Sequence, residues 1–350
     1  MAKLIARDHL NPSPKVAVLE PVSDVFQTTA WFDNLLSQGF LAPPLHHIVP
    51  WPRADGVCFH LMQAQPRGEL LSLSNYYSCL YGPLEPHRQL SPEDWRTLCG
   101  QLKGLPGSSV IQLQPLDASS AWLAAFEVAL HAQGYWSERF FCFGNWYQPV
   151  PGDGFAAYWA ERPSPLRHSV ERGRRRLDKA GTWRIDIATS ELDELEAAIE
   201  AYEAVYAQSW KQPEPCPGFM PGLIRTAARE GWLRLGVLRL NGRALAAQLW
   251  LVHGGKANIY KLAYVEGFEK LSAGSVLTAA LMQHVMDIDR VEEVDYLSGD
   301  DAYKADWMAS RRERVGLLAC DLRRWRGWLA AGRHVLGRWR RSLKSMLTAA

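Results

Sequence analysis

Leu233-Arg-Leu-Gly-Val-Leu-Arg-Leu240, Ala244-Leu-Ala-Ala-Gln-Leu-Trp-Leu-Val252 and Ala257-Asn-Ile-Tyr-Lys-Leu-Ala-Tyr264 follow one another with Asn241-Gly242 and Gly254-Gly255 between them. Both dipeptides supply the positive φ angles that tight hairpin turns demand, so the stretch reads as three antiparallel strands in a meander. Before it, Ser190 opens a helix reaching about Trp210, with Leu192, Leu195, Ile199, Tyr202 and Val205 at helical spacing, and Pro213 to Pro221 reads as a loop. Further upstream lie a strand, Trp183 to Ile187, and helices over Phe155 to Ala160 and Pro165 to Ala180. After the meander, a loop through Gly267 leads to a helix from Ala273 to about Asp287 and a last strand, Glu293 to Leu297. Helices, antiparallel strands, helix, strand is the order of an α+β sheet with its ligand where the last strands part.

The first part of the chain also reads as mixed α+β. Strands are expected at Val57 to Leu61, Glu69 to Leu73, Val110 to Leu113 and Trp136 to Tyr147, with helices from Ser91-Pro-Glu-Asp94 and over Ala121 to Ala132. Pro149-Val-Pro-Gly-Asp-Gly154 divides the two parts. At 350 residues, 47% hydrophobic and 22% charged, the chain is a folded protein of two ordinary domains rather than a disordered one. Its six cysteines are scattered without a C-x-x-C, which speaks against zinc and disulfide frameworks. Met1 to Leu10 is too short for a signal segment and no run has the length of a membrane span, which points to the cytoplasm. The net charge is +2, but basic residues gather at Arg167 to Lys179 and from Arg311 onward.

Ser272 stands where a helix N-cap belongs, so the free N–H groups of Ala273, Gly274 and Ser275, with Lys270 beside them, either hold a diphosphate or simply start a helix. Strict alternation would set Lys261 with Ile259 and Ala263 on an apolar face, where the ammonium meets a carboxylate or a ligand, or snorkels to water. Tyr260 belongs to the opposite face. Gln248, between Ala246 and Trp250 on its face, orients a substrate or bonds across the sheet. Asp295 can receive an acceptor amine and its proton, or bond the next loop. Ser298 and Asp301 have capping-box-like spacing, and Asp300 with Lys304 has ion-pair spacing. A helix over Asp301 to Met308 would put Tyr303 and Trp307 on one face, Tyr303 being a possible acid and Lys304 a stabiliser of developing negative charge.

Tyr260-Lys-Leu-Ala-Tyr264, Leu271-Ser-Ala-Gly274 and Asp295-Tyr-Leu-Ser-Gly-Asp-Asp-Ala-Tyr-Lys304 followed by Trp307 resemble, in order and spacing, the carboxyl half of the Fem-like acetyltransferases. This branch of the GNAT superfamily includes proteins associated with cellulose and other exopolysaccharide synthesis. The basic run Pro165 to Gly181 is similar to the helix that opens their module. The resemblance covers residues 153–315. It implies two GNAT-like lobes, each a mixed, mainly antiparallel sheet flanked by helices, at residues 1–150 and 151–318; residues 319–350 read separately as a basic amphipathic helical tail. It further implies an acyl-CoA donor, no metal, an amine acceptor that is a small molecule or linked to a glycan or lipid, and a lysine role matched by Lys304. Gln248, Tyr260, Lys261 and Trp307 would line the substrate site, and Asp295, Asp300, Tyr303 and Lys304 would carry the chemistry. The chain departs from the family in having Ser272-Ala-Gly274 where Ser-Pro-Gly is frequent, and a single glycine in the loop where ordinary GNAT enzymes are glycine-rich.

Two rival readings remain: an aminoacyl-tRNA-dependent ligase of the same fold, and a lobe without catalysis that recruits partners to a membrane. Nucleic acid is the less favoured partner. The tail interleaves Trp325, Trp328, Leu329, Val335, Leu336, Trp339, Leu343 and Leu347 with arginines, the composition of an in-plane helix at the inner membrane face; the alternative is a helix docked on the body.

Overall fold

The computed structural model describes residues 24–52, 56–84, 90–190 and 194–348, with side chains as far as residue 337. Met1 to Leu10, Leu192 and the side chains of Trp339, Leu343 and Leu347 lie outside that range. In chain order the elements are α1 (Thr29–Gln38), β1 (His46–Pro50), β2 (Val57–Gln63), β3 (Leu70–Ser72), α2 (Pro92–Gly104), β4 (Val110–Asp117), α3 (Ala121–Ala132), β5 (Tyr135–Pro149), α4 (Gly154–Ala160), α5 (Ser164–Ala180), β6 (Trp183–Ala188), α6 (Leu195–Ala207), α7 (Phe219–Arg229), β7 (Leu233–Leu240), β8 (Arg243–His253), β9 (Lys256–Tyr264), α8 (Ala273–Gln283), β10 (Glu293–Asp295), α9 (Lys304–Trp307), β11 (Ser310–Asp321) and α10 (Trp325–Thr348).

The meander is β7, β8 and β9. Asn241, Gly242, Gly254 and Gly255 all have positive φ, which is what those turn residues supply. Its strands continue a single mixed sheet in the order β1-β2-β3-β4-β11-β5-β10-β9-β8-β7-β6. Two lobes with a sheet each were expected; the strands form one sheet because β11 returns from the carboxyl half to lie between β4 and β5. The expected boundary at residue 318 therefore falls inside β11. That strand escapes a periodicity reading because its first half, Ser310-Arg-Arg-Glu-Arg314, is charged: Arg311 and Glu313 stay exposed, while Arg312 and Arg314 on the other face are drawn in by carboxylates rather than by being apolar.

Alternation sorts the sheet into two faces. Leu249, Leu251, Leu317 and Ala319 enter the core formed with α1, α2, α3, α6 and α7, which runs under most of the sheet. Trp250, Ile259 and Val294 point the other way, into a core closed by α4, α5 and α8, while Leu318 and Cys320 on that same side meet Ala331 of α10. Helix α7 begins inside the stretch expected to be loop; its buried Phe219, Leu223 and Ile224 anchor it in the first core.

Candidate functional site: the gap between β9 and β10

β10 pairs with β9 in parallel over three residues only, Glu293 with Lys256, Val294 with Ala257 and Asp295 with Asn258. Beyond Asn258 the strands part. At that point β9 is irregular: its pairing with β8 steps from Trp250–Ile259 to Leu249–Lys261, so Tyr260 is an extra residue. The bulge corrects the strict alternation expected here, because Ile259 enters the α8 core while Lys261 turns to the opposite side. Parting strands leave backbone N–H and C=O groups without a sheet partner, and a ligand laid in the gap can take them up.

One wall of the gap is the start of α8. Ser272 stands at the N-cap position as expected, but it is left-handed (φ 53°) and its side chain makes no cap hydrogen bond; the tight turn itself carries the chain into the helix. The first-turn N–H groups of Ala273, Gly274 and Ser275 have no carbonyl one turn earlier to pair with. Gln248 fixes this helix start, its amide donating to the Gly274 carbonyl (3.0 Å) and the Thr278 hydroxyl (2.8 Å) and accepting from the Trp250 indole (3.0 Å). With all of its polar atoms engaged and the residue buried, Gln248 is a brace and does not line a substrate site. Gly173 of α5 lets the basic helix sit against α8, since a Cβ there would stand 3.0 Å from the Leu271 carbonyl and 3.1 Å from the Ser272 side chain. Arg176 then donates to the carbonyl of Lys270 (2.5 Å), and Lys270 itself is exposed. At Gly274, by contrast, a Cβ would make only ordinary contact, 3.4 Å from the Tyr264 ring, so protein packing does not require the glycine.

The other wall is the loop after β10. Asp295 is fully buried, and its carboxylate accepts from Lys256 (2.9 Å), Arg312, Asn145 (2.5 Å) and the Leu297 N–H (2.6 Å), with Arg314 at 3.4 Å. Burial alone would raise its pKa, but the three surrounding cations hold it well below the usual carboxylate range. Such a group is a poor proton acceptor and faces no open space, so the acceptor-binding role expected of Asp295 is replaced by a positioning one. The Leu297 N–H that donates to its carboxylate belongs to a residue held in a left-handed conformation (φ 55°), so Asp295 pins the turn that follows β10.

Lys304, also buried, gathers the carbonyls of Ser298 (2.5 Å), Tyr296 (3.3 Å) and Gly299 (3.3 Å) and lies 3.6 Å from Asp301. Burial pulls its pKa below the ordinary lysine value. The expected Asp300–Lys304 pair does not form: Asp300 is taken by Arg311 (2.6 Å) and the Trp146 indole (2.8 Å), at the surface. Only Lys304–Trp307 is helical, with Asp301 to Tyr303 in a turn. Tyr303 is partly exposed against the Tyr296 ring, and burial pushes its hydroxyl up to about 12, keeping the proton on. Trp307 is a core residue packed on Trp159, its carbonyl held by Tyr158 (2.9 Å) and Arg162 (3.1 Å); the expected substrate contact gives way to packing.

Residues missed in the sequence complete the mouth. Glu214, from the Pro213-Glu-Pro215 loop, binds Lys261 at 2.7 Å. The Lys261 ammonium also sits over the Tyr76 ring (4.6 Å), and Tyr260 donates to the Tyr77 carbonyl (2.9 Å). Cys79 reaches Ser298 (3.9 Å). These contacts bring residues 76–79 of the first half against the gap, where no local signal in the sequence could have placed them. Lys211 lies near enough to Lys261 and Lys304 for burial and their charge to lower its own pKa. Lys304 lies beside Asp301, whose side chain is 61% exposed.

Residues 164–305 match the family described as an acetyltransferase (GNAT) domain. The chain has a GNAT-type acyltransferase fold. FemX superposes with a TM-score of 0.60 at 11% identity, over 86% of this chain and 92% of that one. The C-terminal domain of a protein assigned as a lysylphosphatidylglycerol synthetase from Agrobacterium fabrum gives 0.53 at 14% identity, over 83% and 90%. A conserved protein of unknown function from Bacteroides thetaiotaomicron also gives 0.53, at 11% identity over 85% and 92%. At these identities the likeness is one of fold. No curated protein sequence matches. The GNAT fold is one that supports acyl or acyl-like group transfer.

Proposed function

We propose that the chain is an N-acyltransferase that moves an acyl group from acyl-CoA to an amine carried by a small molecule, a glycan or a lipid. The observation behind this reading is the splayed β9–β10 pair opening in front of α8. Gly274 puts no side chain over the first helical turn, which suits a diphosphate on the N–H groups of residues 273–275, with Lys270 and Arg176 as nearby cations. The acyl thioester then extends toward the Tyr260 bulge. The acceptor nitrogen attacks the thioester carbon, the carbon–sulfur bond breaks, and the amine proton passes to a carboxylate. Asp301 takes that role in place of Asp295, because it is exposed at the mouth and adjoins Lys304. Tyr303 keeps its proton at neutral pH and can give it to the departing thiolate, while Lys304 fixes the loop that carries both groups and adds positive charge where the tetrahedral oxygen forms.

Thiol release from acetyl-CoA and longer acyl-CoAs, measured against a panel of amines, tests the reading. Amine-dependent thiol release that drops about 100-fold in Asp301→Asn or Tyr303→Phe supports it. Amine acylation from aminoacyl-tRNA but not from any acyl-CoA would replace the donor.

A further inference from the structure

The amphipathic tail does not bury its strongest apolar face. At about 100° per residue, Trp325, Trp328, Leu329, Gly332 and Leu336 fall in one stripe of α10 about 100° wide. Trp325 is 70% exposed, Trp328 64% and Leu336 53%, and Leu322 just before the helix is 45% exposed. The docked side is the opposite one and is built of small residues. Gly327 lies against the Asp321 backbone, Ala331 is buried with Val110, Leu318 and Cys320, and His334 approaches Glu138 at 3.6 Å. Trp328, Val335 and Leu336 also form the rim of an apolar groove of about 420 Å³ against Trp136, which widens the same surface. An exposed patch of this kind marks a contact rather than idle surface.

Charge selects the partner. From Leu322 to Ala350 there are eight Lys or Arg residues and no Asp or Glu. Arg326 and Arg333 are exposed beside the stripe, Arg326 lying 5.6 Å from the Trp325 ring. The basic helix α5 lies on the same side of the sheet. No helix among the described residues is long and apolar enough to cross a membrane, so a lipid contact through this helix is made from the surface. We propose that the outward stripe of α10 inserts into the interface of an anionic lipid bilayer, with Trp325 and Trp328 at headgroup level and Arg326 and Arg333 on lipid phosphates. A nucleic acid would engage the arginines but leaves the Trp–Leu stripe largely in water, and a second copy of the chain would set like charges against each other.

The test is flotation of the full chain with vesicles of phosphatidylcholine, with or without phosphatidylglycerol. The chain should float with the anionic vesicles and far less with the neutral ones, and its tryptophan emission should shift to the blue. Replacing Trp325 and Trp328 together by Ser, both outside the core, should weaken binding roughly tenfold or more with melting unchanged. Arg326→Gln with Arg333→Gln should weaken it by about fivefold per arginine at low salt. No binding to anionic vesicles overturns the proposal. So does binding that ignores the tryptophan pair, binding suppressed by single-stranded RNA that the tryptophan variant still holds, or a dimer that dissociates in that variant while vesicles go unbound. None of these results depends on acyl transfer, so the proposal and the enzymatic reading fail separately.

Discussion

Strand β9 carries two lysines five residues apart, each bonded to a carboxylate within 3 Å: Lys256 to Asp295 at 2.9 Å and Lys261 to Glu214 at 2.7 Å. The first pair lies where β9 and β10 are still joined, walled by Asp24, Arg312, Arg314 and Asn145, so its charges are mutually satisfied and it holds the fold. The second lies past the Tyr260 bulge, where β9 is no longer paired with β10, and packs beside the exposed Tyr76. The same chemistry serves architecture at one end of a nine-residue strand and borders the candidate site at the other. What separates the two is whether the next strand is present.

The largest effect that this contrast predicts is at Asp295. Asp295→Asn removes the one carboxylate that Lys256, Arg312 and Arg314 share, leaving Asp24, Glu293 and Asp117 to balance three crowded cations, which should cost about 3 kcal/mol in denaturant unfolding. A near-normal melt combined with lost turnover would move Asp295 into the site. The pH dependence follows the same pair. The folded-state pKa of Asp295 is depressed, so its stabilisation is present above the unfolded carboxylate value of about 4 and is lost as pH falls below it toward the folded value. Lys256 is raised, so its contribution is full below the unfolded lysine value of about 10.4 and is lost as pH rises through the folded one. Melting temperature should therefore be flat through neutrality and fall on the acid side more steeply in wild type than in Asp295→Asn.

Lys304→Met should have an intermediate effect. Three loop carbonyls lose a donor, which costs about 1–3 kcal/mol in unfolding, and turnover should fall by more than the folded fraction does. Turnover that tracks folded protein would make Lys304 a loop clamp and nothing more. The smallest change should come from Asp300→Asn. Its ion pair with Arg311 is at the surface, so stability should move by less than about 1 kcal/mol and turnover should stay within twofold, read from the same melts and assays. A large loss of turnover would restore the catalytic role that its sequence position suggested.

The meander, α5, the start of α8 and the tail helix were legible in the sequence because turn glycines, caps and helical periodicity are local signals. The continuous sheet was not, because it depends on β11, whose charged half gives no apolar alternation and whose buried Arg314 is held by Asp117 and Asp295 from distant strands. Within the candidate site, the sequence singles out the stretch from Asp295 to Lys304 but does not say which of its side chains are buried. Asp295 and Trp307 look available in sequence and are buried by partners from β5, β9, β11 and α4, and Glu214 looks like loop and is drawn in by Lys261. The Tyr260 bulge reverses a face assignment that strict alternation makes with confidence, a one-residue change no composition reveals.

Titration of CoA into the full chain by calorimetry, beside Gly274→Val, probes the proposed donor site directly. The account predicts saturable binding to wild type and at least about tenfold weaker binding to the variant, with melting preserved because only the Tyr264 ring adjoins that Cβ. Absence of binding at millimolar CoA, or equal affinity in the two proteins, would contradict it.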